Sequence, residues 1–194
     1  MIMISKYNTD INKMSFPVML AKEYEQGMII KKDTSKYSKP PIGWIASEKL
    51  DGYRCFFKYE LKDNKLVGVF YSRNYKEFNA PEYFLLSMPS YEVLGERILD
   101  GELWAGRDNF ELMGLVRKKK PIDNEWYNIQ YQVYDLIDLS KSELVFTSRI
   151  KILKDLVKFN EKVFNIKKKN KEIIVTKDIK CPLVYCNQIT IKSI

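Results

Sequence analysis

The chain has 194 residues, 45% hydrophobic and 30% charged, which excludes a disordered, collagenous or coiled-coil protein and suits about one domain with a real core. Lys and Arg number 33 against 25 Asp and Glu, a net charge of +8; such a balance favours a polyanionic partner without specifying a fold. The sequence contains no histidine, so Ser-His and Cys-His catalysis, histidine metal sites and imidazole shuttles are excluded within it, and its chemistry must run on Lys, Arg, carboxylates, hydroxyls or thiols.

In chain order, residues 1–15 read as a polar N-terminal arm that turns polar too early for a signal peptide. Residues 31–43 read as a loop closed by Pro40-Pro41-Ile42-Gly43. Strand-like runs follow from Trp44. Gly52–Leu61 and Leu66–Ser72 flank Lys62-Asp63-Asn64-Lys65 as a hairpin. Ala80-Pro81-Glu82 opens a short helix through Met88, with proline early in its first turn. Ile98–Ala105 and Ile129–Leu139 are rich in aromatic and β-branched residues and read as strands. Asp108–Lys118 reads as a helix with a basic end. Thr147–Phe159 is the clearest helix, with the stripe Ile150, Leu153, Leu156 and Val157 and a cap at Thr147 or Ser148. Glu172–Thr176 and Cys181–Ile191 read as further strands. The expected class is α+β with mostly antiparallel sheet and flanking helices.

Charge and cysteine add two bounds. Residues 141–194 hold 13 basic and 5 acidic side chains, so the whole excess lies there and the first 140 residues are neutral. Lys167-Lys168-Lys169 reads as a solvated helix end or as one flank of a nucleic-acid groove. Cys55, Cys181 and Cys186 match no zinc spacing and read as free thiols of an intracellular protein, cytoplasmic or nuclear.

Four segments carry candidate chemistry. Lys49-Leu50-Asp51-Gly52-Tyr53-Arg54 crowds charge into a tight turn between apolar strands. A lysine partly desolvated there, beside other cations, has a lowered pKa and becomes a nucleophile. Tyr71-Ser72-Arg73-Asn74 ends a strand with a cation able to grip phosphate. Asp100-Gly101-Glu102-Leu103 puts a carboxylate inside an apolar strand, which is costly unless it pairs, binds metal or accepts hydrogen bonds. Tyr131-Gln132-Val133-Tyr134-Asp135-Leu136 offers an aromatic ring for a purine, or a core aromatic with its hydroxyl satisfied.

Lys-x-Asp-Gly-x-Arg, Ser-Arg-Asn, Asp-Gly-Glu-Leu and aromatic-Asp, in this order, resemble the covalent nucleotidyltransferases: ATP-dependent DNA ligases, RNA ligases and mRNA capping enzymes. Phe16-Pro17-Val18-Met19-Leu20-Ala21-Lys22, Phe78–Phe84, Leu103–Arg107 and Leu115–Lys119 are most similar to small bacterial and viral ATP-dependent DNA ligases. The resemblance covers roughly residues 16–160. It implies the ATP-grasp-like nucleotidyltransferase fold of a ligase adenylation domain.

The resemblance also implies a set of roles. Lys49 attacks the α-phosphate of ATP, and the AMP it carries passes to the 5′-phosphate of nicked double-stranded DNA before the strand is sealed. Ser47 or Glu48 contacts the adenine amino group. Arg54 and Arg73 hold ribose, phosphate and the nick. Glu102 binds ribose or, with Asp51, helps place Mg²⁺; Asp51 also orients the lysine. Tyr134 stacks on adenine. Arg117 and Lys118 form either a helix-end charge cluster or a DNA or pyrophosphate contact. Leu103 and Trp104 read as core, and Arg149 as the partner of a carboxylate near its helix start.

The family's Glu-Gly and Lys-x-Lys strands have no counterpart after Tyr134, and no OB domain follows. Residues 16–194 therefore read as a partial adenylation domain, completed by a second polypeptide or inactive alone. A capping guanylyltransferase, an RNA ligase fragment and an inactive nucleotide- or nucleic-acid-binding remnant are the alternatives.

Overall fold

The computed structural model describes residues 42–141 and 143–192. The N-terminal arm, the Phe16–Lys22 segment and most of the 31–43 loop lie outside the described residues. Strand β1 (Ile45–Ser47) leads into the long hairpin β2 (Tyr53–Lys62) and β3 (Lys65–Ser72), followed by the short β4 (Glu77–Phe78). Asp63 and Asn64 both have positive φ, 48° and 60°, the two-residue turn whose twist matches a right-twisted hairpin. Helices α1 (Glu82–Leu86) and α2 (Tyr91–Leu94) precede β5 (Ile98–Trp104). A 3-10 helix (Phe110–Arg117), α3 (Asp123–Trp126), β6 (Gln130–Ile137), a 3-10 turn, α4 (Phe146–Lys169), β7 (Leu183–Tyr185) and β8 (Gln188–Thr190) complete the described chain.

The main sheet has the order β4-β3-β2-β5-β6-β7, antiparallel except for the parallel β6–β7 pair, and β1 pairs with β8 in a separate ribbon. The α+β, mostly antiparallel class expected from the sequence is what forms. One face carries the main core, where Phe57, Phe70, Leu99, Leu103 and Tyr131 meet Phe84, Trp126 and α4's Leu153, Leu156 and Phe164. The other face carries Phe56, Val69, Tyr71, Ile98 and Ile137, together with the charged residues of the motifs. Among the described residues, no helix is long and apolar enough to cross a membrane.

Four local expectations are corrected. Phe110–Arg117 winds as a 3-10 helix, and it buries Met113 and Val116 while Phe110 and Leu112 stay exposed; a spacing of three stacks these two buried residues in a 3-10 turn. α4 starts earlier and runs longer than expected, and its N-cap is Val145, with no side-chain cap from Thr147 or Ser148. Pro81 is the N-cap of α1 rather than part of its first turn. Glu172–Thr176 joins no ladder: Ile173 is buried, Ile174 is exposed, and the Tyr127 hydroxyl holds the segment by accepting from the Thr176 N–H at 3.0 Å.

Two buried ion pairs tie the layers together. Asp100 of β5 and Asp135 of β6 are register partners, 1% and 3% exposed. Each is held by its own arginine. Arg54 of β2 donates to both oxygens of Asp100 at 3.1 and 2.7 Å. Arg149 of α4 donates to both oxygens of Asp135 at 2.8 and 2.9 Å, and to the Leu144 carbonyl at 2.7 Å. Arg149 thus pairs near its helix start, as its position in the sequence suggests. Removing one partner of a buried pair strands the other charge, whereas replacing both with apolar residues costs far less. Arg149→Ala is therefore expected to destabilise the fold by about 3 kcal/mol in chemical denaturation, and the double variant Asp135→Leu, Arg149→Met by less than either single change.

Candidate active site

The motif residues gather at one end of the sheet's second face. The turn between β1 and β2 carries Ser47, Glu48, Lys49 and Asp51, all exposed. The expectation of a desolvated Lys49 is corrected: the lysine stands at the surface, because Glu48, Asp51 and Gly52 around it leave the turn polar and open. Gly52 then closes the turn against β5. Its N–H donates to Glu102 Oε1 at 2.9 Å, and a Cβ on it would lie 2.2 Å from the Leu103 carbonyl oxygen. Only glycine permits that approach.

Glu102 thereby gains the hydrogen bond that its strand position demands. It faces Arg54 across the β2–β5 ladder and Gln132 across the β5–β6 ladder. Burial pushes its carboxyl up to about 7; Asp51 and Asp100 push the same way, while Gly52 and Arg54 oppose. Asp100 is raised to about 6, again chiefly by burial, against the pull of Arg54. Burial thus favours the neutral form of both carboxyls, and a cation bound beside them would favour the charged form. Asp51 and Glu102 are the carboxylates at this turn; among the described residues no group of three or more His, Cys, Asp or Glu is placed to hold a metal ion.

Tyr134 occupies a register fault. Asp100 pairs with Asp135 while Gly101 pairs with Val133, so Tyr134 is the extra residue of a β-bulge. A bulge re-aims a side chain. Here the Tyr134 ring lies 5.6 Å from the Arg54 guanidinium, and its hydroxyl donates to the Gly101 carbonyl at 3.3 Å. Gly101 is the second required glycine, since a Cβ on it would sit 2.5 Å from the Gln132 carbonyl oxygen. Arg54 is flanked on its other side by the Phe56 ring, also at 5.6 Å.

The remaining candidates divide. Ser72 is opposite Cys55, so Arg73 leaves the ladder just beyond, at the Arg54 end, with its side chain exposed. Arg117 reaches the same end by lying 5.5 Å over the Tyr53 ring. Lys118 instead pairs with Glu125 at 2.6 Å, and Glu48 pairs with Arg107 at 2.6 Å. Leu103 is core, as expected, whereas Trp104 is half-buried. The structure adds residues that sequence reasoning missed. Asp100 anchors Arg54. Gln188 pairs with Ser47 in the β1–β8 ribbon and donates to the Tyr134 carbonyl at 2.7 Å. The buried Cys186 lies close enough for Glu48 and Glu102 to raise its pKa further, beyond the rise that burial itself causes. The Asp100 signal is visible in the sequence as a second carboxylate within an apolar strand; Gln188 and Cys186 give none.

This constellation can hold an anionic ligand between exposed cations, beside a carboxylate whose charge changes near neutrality. Parts of the chain are similar to known proteins. Over 103 residues, 53% of its length, the chain is 30% identical to a DNA ligase of Haemophilus influenzae (strain ATCC 51907 / DSM 11121 / KW20 / Rd), 33% of which is covered. It spans about a third of that ligase's length. Among solved structures, one from a structure-function study of DNA binding with a minimal scaffold in Lig E DNA ligases aligns with a TM-score of 0.49 at 22% identity, over 81% of this chain and 49% of that one. Another, Pmar-Lig_PreS3, aligns with a TM-score of 0.49 at 20% identity, over 77% and 32%. No protein-family model matches the chain.

The raised Glu102 carboxyl sets a pH dependence. Its folded value of about 7 lies above the roughly 4.3 of an unfolded glutamate, so its contribution to stability is complete below the unfolded value and is lost as pH rises from there to the folded one. Relative to Glu102→Gln, the native protein should lose stability as pH rises from about 4 to about 7 and then level off. Thermal melts of both proteins across that range measure the divergence.

Proposed function

We propose that this chain performs the first chemical step of an ATP-dependent DNA ligase, the transfer of AMP from ATP to Lys49. The observation that carries the reading is the Gly52–Glu102 hydrogen bond of 2.9 Å. It ties the lysine turn to the acidic strand and puts both beside Arg54 and Tyr134. In the step, the Lys49 amine attacks the α-phosphorus. A phosphorus–nitrogen bond forms, the α–β phosphoanhydride bond breaks, and pyrophosphate leaves with the electron pair. The amine gives up its proton to solvent or to Asp51, which lies two residues away in the same exposed turn.

Each residue has a separate task. Tyr134, held by the bulge and backed by Arg54, presents its ring to adenine. Ser47 and Glu48 border the turn on the base side. Glu102 accepts from ribose hydroxyls or shares a divalent cation with Asp51. Mg²⁺, when bound, neutralises the triphosphate and the leaving pyrophosphate. Arg54 positions Glu102 and Tyr134 while bound to Asp100. Arg73 and Arg117, both exposed at this end of the sheet, are placed to meet the phosphates of a DNA nick, the substrate onto which Lys49 would pass its AMP.

Incubation of the protein with Mg²⁺ and α-labelled ATP or GTP tests the reading. The expected outcome is an acid-labile label from ATP that Lys49→Ala abolishes, with sealing of nicked duplex by this chain alone absent or very slow. A label from GTP instead would indicate a capping guanylyltransferase. No label from either would remove the enzymatic reading.

A further inference from the structure

The longest helix carries an apolar seam that the main core does not use. α4 turns Leu153, Leu156, Val157, Asn160 and Phe164 inward. Val145, at its N-cap, followed by Ile152, Phe159 and Ile166, recurs at every seventh residue, and these four are 63%, 38%, 50% and 59% exposed. Single exposed hydrophobics need no explanation. Four on one line do, because seven residues is the repeat at which one helix presents a continuous seam to another.

The seam has a charged border. At about 100° per residue, Lys151, Lys158, Lys162 and Lys169 fall along its solvent side, all exposed, with Asp155 the acidic residue among them. Among the described residues these four lysines form no ion pair. We infer that this face of α4 docks an acidic amphipathic helix of a partner protein, with apolar residues against Ile152, Phe159 and Ile166 and carboxylates along the lysine edge.

Charge complementarity selects that occupant over three others. A second copy of this chain would bring lysine edge against lysine edge. The chain's own first 41 residues carry 7 basic and 4 acidic side chains, the wrong sign to match the edge. A nucleic acid would satisfy the lysines and leave the apolar seam in water. Helix-in-groove recognition with flanking charge of opposite sign uses both features at once.

A three-heptad helical peptide with leucine at the seam positions and glutamate at the flanking ones is a direct probe, measured by fluorescence anisotropy against the full chain. Binding is expected to weaken about tenfold or more in Phe159→Asp, and also in high salt. A matched peptide with lysine flanks should not bind. Circular dichroism confirms that Phe159→Asp is folded; Ile166→Ser is the second variant, expected to weaken binding as well. Three results would overturn the inference. One is glutamate-peptide binding that both variants leave unchanged. Another is a concentration-dependent dimer of this chain that Phe159→Asp dissociates. The third is binding to phosphatidylserine vesicles or duplex DNA that depends on Phe159 while the peptide fails to bind.

Discussion

Two aspartates facing each other across a central ladder set the terms for the rest of this structure. Asp100 and Asp135 are nearly inaccessible and are register partners, an arrangement that like charge would forbid without compensation. Arg54 and Arg149 supply it from a neighbouring strand and from the start of α4. The pairs thereby connect β2 to β5 and β6 to α4, so burying the charges also fixes how the layers meet. Ion pairs at such depth are weak evidence for stability in themselves. Their consequence here is geometric.

That geometry leads to the site. The ladder slips by one residue immediately beside Asp100, and the slip turns Tyr134 out towards Arg54. Arg54 cannot leave without exposing the Asp100 charge to an apolar strand, so it serves as a fixed back wall for the aromatic ring. One step further along β5, Glu102 receives the Gly52 N–H and locks the turn that bears Lys49. The exposed Lys49 is thus carried by a turn fastened to an acidic strand. Positioning of this kind suits phosphoryl transfer, in which the protein contributes placement and electrostatics more than covalent chemistry.

Much of this was legible in the sequence. The β2–β3 hairpin was announced by Asp63-Asn64 between alternating strands, and β5 and β6 by their aromatic and β-branched runs. The order of the four motifs singled out Lys49, Arg54, Arg73, Glu102 and Tyr134, which the strand pairings bring to one end of the sheet. The Lys49 environment was not legible, since local charge density does not say whether a turn is covered. The bulge at Tyr134 leaves no mark in composition; it arises from how β6 registers against β5. The failed strand at Glu172–Thr176 shows the same limit, because β propensity cannot form a ladder without a neighbouring edge. The 3-10 winding of Phe110–Arg117 was masked by an apolar pattern that suits either helix.

The central claim is that a fixed Arg54–Asp100 pair and the bulged Tyr134 frame a nucleotide whose α-phosphate meets Lys49. A crystal structure of the protein with Mg²⁺ and a non-hydrolysable α,β-methylene analogue of ATP tests it most directly. The account predicts the adenine on the Tyr134 ring, the α-phosphate within reach of Lys49 Nζ, and Arg54 still bound to Asp100. A nucleotide seated elsewhere, or Arg54 released from Asp100 to grip the phosphates, would contradict it.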